Sequence, residues 1–255
     1  MGDRSTTTSH DDPLGQLTNV VYPVSPALTL QYDALGRLTN LVDGLGQPRY
    51  NYAHNWLASE DGPWAEDTVS YSYQQAGPRS GLALIQPNAS PWTQSYGYDP
   101  AERLTSVASP AGTFGYAYDS TRVALPGTLT LPNEATIATS YDFMARLTNT
   151  TLRSSQSAVL NHHGYGYNAA SQRTSVTNMA GNRVAYTYDR SGQLVQASGK
   201  EAAGTTRLNE QFRYAYDAAG NLALRTNDFA AAEPLVQTFS ITNALNQLTG
   251  VTRSG

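Results

Sequence analysis

One phrase is written again and again along this chain. The stretch YDALGRLTN from Tyr32 returns as YDPAERLTS from Tyr98, YDFMARLTN from Tyr141, YDRSGQLVQ from Tyr188 and YDAAGNLAL from Tyr216. Aligned on the second tyrosine of a Tyr-x-Tyr-Asp phrase, related units centre on Tyr32, Tyr52, Tyr73, Tyr98, Tyr118, Tyr141, Tyr167, Tyr188 and Tyr216, with a weaker tenth at Ile241. Successive centres lie 20 to 28 residues apart, the spacing of a repeat architecture. A partial copy opens the series: DPLGQLTNVV from Asp12 matches DALGRLTNLV from Asp33 nearly residue for residue. What precedes it is TTTSH, without the aromatic half.

Each unit is predicted to be a β-hairpin. Pairs such as Tyr96/Tyr98, Tyr116/Tyr118, Tyr165/Tyr167, Tyr186/Tyr188 and Tyr214/Tyr216 stand at i and i+2, hence on one face of a strand. Asp33, Asp99, Asp119, Asp142, Asp189 and Asp217 follow at the first turn position, where a carboxylate accepts from backbone N–H groups. Gly36, Gly192 and Gly220 come three residues later, where the turn hands over to a left-handed residue. Leu38, Leu104, Leu147, Leu194 and Leu222 begin the return strand. Arg37, Arg103, Arg146 and Arg173 sit near the start of that strand, where a guanidinium either stacks on a neighbouring tyrosine or faces water. Segments such as VDGLGQPR and ASPAGTF supply the turns between hairpins. Helical periodicity is weak everywhere, the best stretch being AAGTTRLNEQFRYAY. The expected fold is therefore all-β: stacked antiparallel hairpins forming one strip. Residues 1–11 form a polar N-terminal segment, and 12–255 a single repeat domain of ten to eleven hairpin units. Tyrosines of neighbouring units are expected to meet across strands.

Composition agrees. There are 17 tyrosines against 5 phenylalanines, a bias that suits half-buried sheet surfaces. At 255 residues a sizeable core is affordable. A formal charge of −4 leaves no basic stripe for nucleic acid. No cysteine is present, which excludes a disulfide framework, a thiolate metal site and a thiol nucleophile. No apolar run reaches the ~20 residues of a membrane-spanning helix, and MGDRSTTTSHDD has no apolar core of a secretory signal.

The iterated YxYDxxGRLxxV phrase, nearest to ideal in LQYDALGRLTNLVDGLG and YTYDRSGQLVQAS, resembles the YD repeats, also called Rhs repeats. These occur in bacterial Rhs polymorphic toxins, in cocoon-forming components of Tc toxins and in animal teneurins. The resemblance implies a strip of β-hairpins that spirals into a hollow shell, outside the cell or at a bacterial surface. Family shells use far more repeats than ten or eleven, so this strip would form part of a wall. The DPxG motif of the family's self-cleaving segment occurs once, at Asp12 to Gly15, as an ordinary repeat turn, so self-cleavage is not carried over.

Chemistry finds little to hold on to. The repeated aspartates already have turn work, and a glycosidase would need two of them facing each other at ~5–10 Å. His162 and His163 are adjacent and read as part of a turn before the seventh hairpin. No GxSxG, phosphate-binding loop or HExxH motif is present. Trp56, Trp64 and Trp92 lie in the least regular units and either fill gaps or stack on glycans. The expected function is a non-catalytic structural module with no cofactor and no metal, a section of a β-shell. Two alternatives stand beside it. One is a self-assembling extracellular fibre, in which a neighbouring copy supplies the aromatic strand that TTTSH lacks. The other is a glycan-binding surface.

Overall fold

The computed structural model describes residues 7–75, 77–120, 124–228, 231, 233–241 and 247–254. Among them there is no helix. The strands fall into two compact units, Met1–Tyr116 and Ala117–Gly255, with the division inside one strand.

In the first unit, β1 (Thr8–Asp11) and β2 (Leu17–Val21) form the opening hairpin. β3 (Leu28–Tyr32) and β4 (Leu38–Val42) form the second, and β5 (Arg49–Ala53) and β6 (Trp56–Asp61) the third. β7 (Val69–Tyr73) with β8 (Arg79–Leu84) and β9 (Trp92–Tyr98) with β10 (Leu104–Ser109) follow, and β11 (Gly112–Tyr118) carries the division. The second unit begins with β12 (Pro126–Thr130), then pairs β13 (Thr136–Tyr141) with β14 (Leu147–Arg153) and β15 (Val159–Tyr167) with β16 (Arg173–Asn178). It continues with β17 (Arg183–Tyr188) and β18 (Leu194–Lys200), then β19 (Thr206–Tyr216) and β20 (Leu222–Asn227). β21 (Leu235–Ile241) and β22 (Leu248–Ser254) close the series. Within each unit every strand pairs antiparallel with the next in sequence, a simple meander.

The expected all-β stack of antiparallel hairpins is what forms, and three particulars differ from the sequence reading. Residues 8–11 are a strand: β1 lies against β2 and occupies the place that the fibre alternative gave to a neighbouring chain. The stretch with the best helical pattern is β19, because its tyrosines, Phe212 and Gln211 must meet two flanking strands. His162 and His163 lie inside β15, not in a turn. The turn of the tenth unit, residues 242–246, lies outside the described residues.

The interior is thin. The buried hydrophobic residues among those described are Ala135 and Ala197, and no large side chain is fully enclosed. A single sheet layer has no second layer to pack against, so apolar side chains are half-buried against neighbours on their own face. Stability must come largely from contacts between successive hairpins.

Each hairpin whose register is described carries a β-bulge at one point. In the second, Gln31 faces Asn40 and Tyr32 faces Leu38, leaving Thr39 as the extra residue. The same shift precedes Tyr52, Tyr73, Tyr141, Tyr167, Tyr188 and Tyr216. The extra threonine closes its own bulge: Thr39 Oγ1 donates to the Gln31 carbonyl at 3.1 Å and Thr148 Oγ1 to that of Ser140 at 3.1 Å. Bulges raise local twist, and here each lies just before the tyrosine-bearing end of a leading strand.

Candidate functional site

The structure gathers the repeated residues at the junction between one hairpin and the next. Backbone pairing across each junction stops early. Between β2 and β3 it ends at Asn19 facing Thr29, so the Leu17 carbonyl has no strand partner beyond that point. The Tyr32 hydroxyl donates to that carbonyl at 2.9 Å. Pairing between β14 and β15 ends at Asn149 facing Gly164, and Tyr167 donates to the Leu147 carbonyl, two residues earlier, at 2.8 Å. The same offset holds for Tyr52 to Leu38, Tyr73 to Leu57, Tyr98 to Arg79, Tyr141 to Pro126, Tyr188 to Arg173 and Tyr216 to Leu194, all at 2.7–3.0 Å. In each of these eight junctions a tyrosine hydroxyl takes the carbonyl at which the ladder has failed, which is how a backbone acceptor is satisfied without a strand. Among the described residues, therefore, no two tyrosine rings stack on one another across strands. Consecutive leading strands are separated by a return strand, roughly 9–10 Å in all at the ~4.8 Å strand spacing, and the ring spans that gap instead.

The aspartates build the turns. Asp33 Oδ1 accepts from the N–H groups of Leu35 at 2.9 Å and Arg37 at 3.0 Å, while its carbonyl accepts from Gly36 N–H at 3.0 Å. Asp99, Asp142, Asp189 and Asp217 accept from the same two positions of their own turns. Asn168 does the same work without a charge. Side-chain hydrogen bonds from Arg37, Arg103 and Asn221, followed by the backbone N–H groups, hold the carboxyls of Asp33, Asp99 and Asp217 below the usual carboxylate range. At Asp142 burial pushes upward, and the Arg146 backbone and side chain outweigh it, so its pKa too is lowered.

The fourth turn residue lies at positive φ: 77° at Gly36 and 85° at Gly192 and Gly220, but also 59° at Glu102 and 63° at Ala145. Gly36 has a second reason to lack a side chain. A Cβ there would stand 2.6 Å from the Gln16 amide nitrogen, which reaches across from the previous turn.

The arginines divide into two kinds. Arg37, Arg103 and Arg146 precede the return strand and pair with their own turn aspartate at 2.6 Å. Arg37 also lies over the Tyr52 ring at 4.3 Å and donates to the His54 carbonyl at 2.5 Å, both in the next hairpin. Arg146 does likewise, over Tyr167 at 4.9 Å and to the Asn168 carbonyl at 2.9 Å. Gln172 and Gln193 hold the equivalent position and donate to the carbonyls of Gly192 and Gly220. Arg173 occupies the place of Leu38 and stacks on Tyr165 of its own hairpin at 4.7 Å.

The remaining residues named from the sequence have structural surroundings. Tyr96 donates to Gln94, Tyr214 stacks beside Phe212, and burial raises the Tyr186 hydroxyl above its usual range. Tyr116 and Tyr118 lie on β11 with Asp119 after them, Leu104 begins β10 and Leu222 begins β20. Trp56 lies at the β5–β6 turn, whereas Trp64 and Trp92 lie at the loops of the opposite edge of the strip. His162 Nδ1 is 2.9 Å from Thr151 Oγ1, and His163 stacks on Tyr165. Among the described residues no group of three or more His, Asp or Glu could hold a metal ion. The bulge threonines and the acceptor carbonyls escaped the sequence reading. The recurring Leu-Thr pair was a signal for the first, and backbone acceptors leave none.

The family signature of the RHS Repeat matches residues 4–48 and 167–206, two stretches that hold complete junction elements. Those two stretches carry RHS repeats. No curated protein sequence matches it. Its fold is similar to part of the crystal structure of TcdB2-TccC3-Cdc42, with 17% identity and a TM-score of 0.70 over 95% of this chain and 14% of that one. It is also similar to TcdB2-TccC3 without its hypervariable C-terminal region (16%, TM-score 0.65, 96% and 15%). A third likeness is to the Tc holotoxin pore of Photorhabdus luminescens carrying a mutated TccC3 (16%, TM-score 0.66, 96% and 15%). The chain thus spans about one seventh of the structures it matches, and the likeness to them is one of fold.

Proposed function

We infer that this RHS-repeat chain is a non-catalytic wall section of a larger toxin-type protein, acting outside the bacterial cell or at its surface. One observation carries this conclusion: the repeated Tyr, Asp and Arg side chains are spent on building the hairpin turns and holding one hairpin to the next. The eight tyrosine-to-carbonyl bonds and the three Asp–Arg pairs lie within or between neighbouring hairpins. Such junctions can be repeated without limit, which suits a wall that encloses something else. The partners this implies are further RHS repeats continuing the sheet. No described helix is long and apolar enough to cross a membrane. Electron microscopy of the protein made from its whole natural reading frame tests the proposal. A hollow particle with this strip in its wall is expected. A filament joined through the strip edges, or a particle with no enclosed volume, would overturn it.

A further inference from the structure

The third hairpin departs from the junction pattern. Its β5–β6 turn is cut to His54 and Asn55, so that Ala53 faces Trp56 and Tyr52 faces Leu57. Trp56 thereby takes the place of Arg37 and Arg146, directly before the return-strand leucine. Its ring stacks on Tyr73 of the next hairpin, with centroids 5.0 Å apart and planes at 26°, as those guanidiniums lie over Tyr52 and Tyr167. The next turn is unusual as well: Gln74 stands where other turns carry aspartate, and Pro78 where they carry arginine or glutamine.

Loss of the ion pair from two successive turns leaves a cavity of about 670 Å³ beside Trp56, within the ~300–1,000 Å³ usual for small-molecule sites. Trp56 remains 44% exposed, although it is stacked on Tyr73. His54, Ser72, Gln74 and Gln75 line the cavity with Trp56, and no charged side chain does.

We propose that this cavity binds a neutral sugar ring, one pyranose unit of a glycan. An indole offers a broad, flat apolar face of the kind that the C–H face of a pyranose covers. Amides, a hydroxyl and an imidazole around it supply both donors and acceptors, as a ring fringed with hydroxyls requires. An ionic ligand would find no counter-charge. A proline-rich peptide would use the indole and leave most of the polar rim without partners. Trp64 and Trp92, on the opposite edge of the strip, take no part.

The test uses the chain with Trp64→Phe and Trp92→Phe, leaving Trp56 as its sole indole. Glucose, galactose and N-acetylglucosamine are titrated to about 100 mM while fluorescence is read, since single-ring sugars on such sites bind on the order of millimolar. A saturable change with at least one sugar is expected. Trp56→Arg, which restores the cation that other repeats place over this tyrosine and removes the indole reporter, is titrated by saturation-transfer NMR beside its parent and should show no sugar binding, with an unchanged circular dichroism spectrum. Gln75→Ala, which leaves the stack intact, should weaken it at least about threefold. No saturation by any sugar, saturation by a proline-rich decapeptide instead, or affinity unchanged in both variants would overturn the proposal.

Discussion

The hydroxyl of Tyr167 donates to the carbonyl of Leu147, twenty residues earlier, at 2.8 Å. The two residues belong to successive hairpins, and the bond stands where the β14–β15 ladder has already ended. Seven more tyrosines make the same bond at the same offset, so a single relationship defines how these hairpins join.

Removing one rung should be costly where it is sheltered and cheap where it is wet. Tyr167→Phe leaves a half-buried carbonyl unpaired and is expected to cost about 1–2 kcal/mol. The Tyr188 bond to Arg173 is exposed, and water can replace it, so Tyr188→Phe should cost about 0.5 kcal/mol or less. Urea denaturation of the two variants against the parent measures both.

The last repeat offers the converse change. Pairing of β20 with β21 ends at Leu224 facing Thr238, the register that precedes a tyrosine bond elsewhere. The residue at the tyrosine position is Ile241, whose side chain has no hydroxyl to donate. Ile241→Tyr is expected to stabilise the chain by about 1 kcal/mol. The same denaturation experiment reads it.

Turn glycines should respond according to their surroundings. Gly15 and Gly36 share nearly the same φ, +79° and +77°, but a Cβ at Gly15 meets nothing within 4 Å and one at Gly36 meets the Gln16 amide. Gly15→Ala should cost about 1 kcal/mol for left-handed strain alone, and Gly36→Ala should cost more. Adding Gln16→Ala should relieve the excess at Gly36. Ala145, held at φ 63°, should gain about 0.5–1 kcal/mol on becoming glycine. Thermal melts of this set separate strain from collision.

The pH dependence follows from the shifted groups. Asp33, Asp99, Asp142 and Asp217 hold folded values below the ordinary 3.8. Just below that pH the unfolded chain binds more protons than the folded one, so stability should fall as the pH drops from about 4 through the folded values. Tyr71 behaves oppositely: burial, then its bond to Glu60, pushes its hydroxyl up to about 12 from 10.0. Between those values the unfolded chain has lost the proton that the folded one keeps, so stability should also fall as the pH rises through that window. Melting temperatures from pH 2 to 12 should show a plateau with both shoulders, and Asn168, uncharged in the same turn role, should add nothing to the acid one.

The hairpins were legible because period-two tyrosines, turn aspartates and positive-φ glycines are local signals, each confined to a few neighbouring residues. What was not legible was the contact between hairpins. Tyr32 announces an aromatic on a sheet face, but nothing in its neighbourhood says that its partner is the Leu17 carbonyl, a backbone atom fifteen residues away. The bulge at Thr39, beside Tyr32, is equally silent. Arg37 and Arg173 looked alike at the start of their return strands. One position separates a residue that reaches the next hairpin from one that stacks on its own. Trp56 was visible as an irregularity, but its equivalence to Arg37 depends on a turn shortened by the pairing of Ala53 with Trp56.

Hydrogen–deuterium exchange on Tyr167→Phe tests most directly whether the tyrosine-to-carbonyl bond is what joins one repeat to the next. Amides at the Leu147 end of β14 and the Tyr167 end of β15 are expected to exchange about tenfold faster, the equivalent of ~1.4 kcal/mol, while those of β19 and β20 keep the parent rate. Unchanged exchange at that junction, or an equal acceleration throughout the second unit, would contradict it.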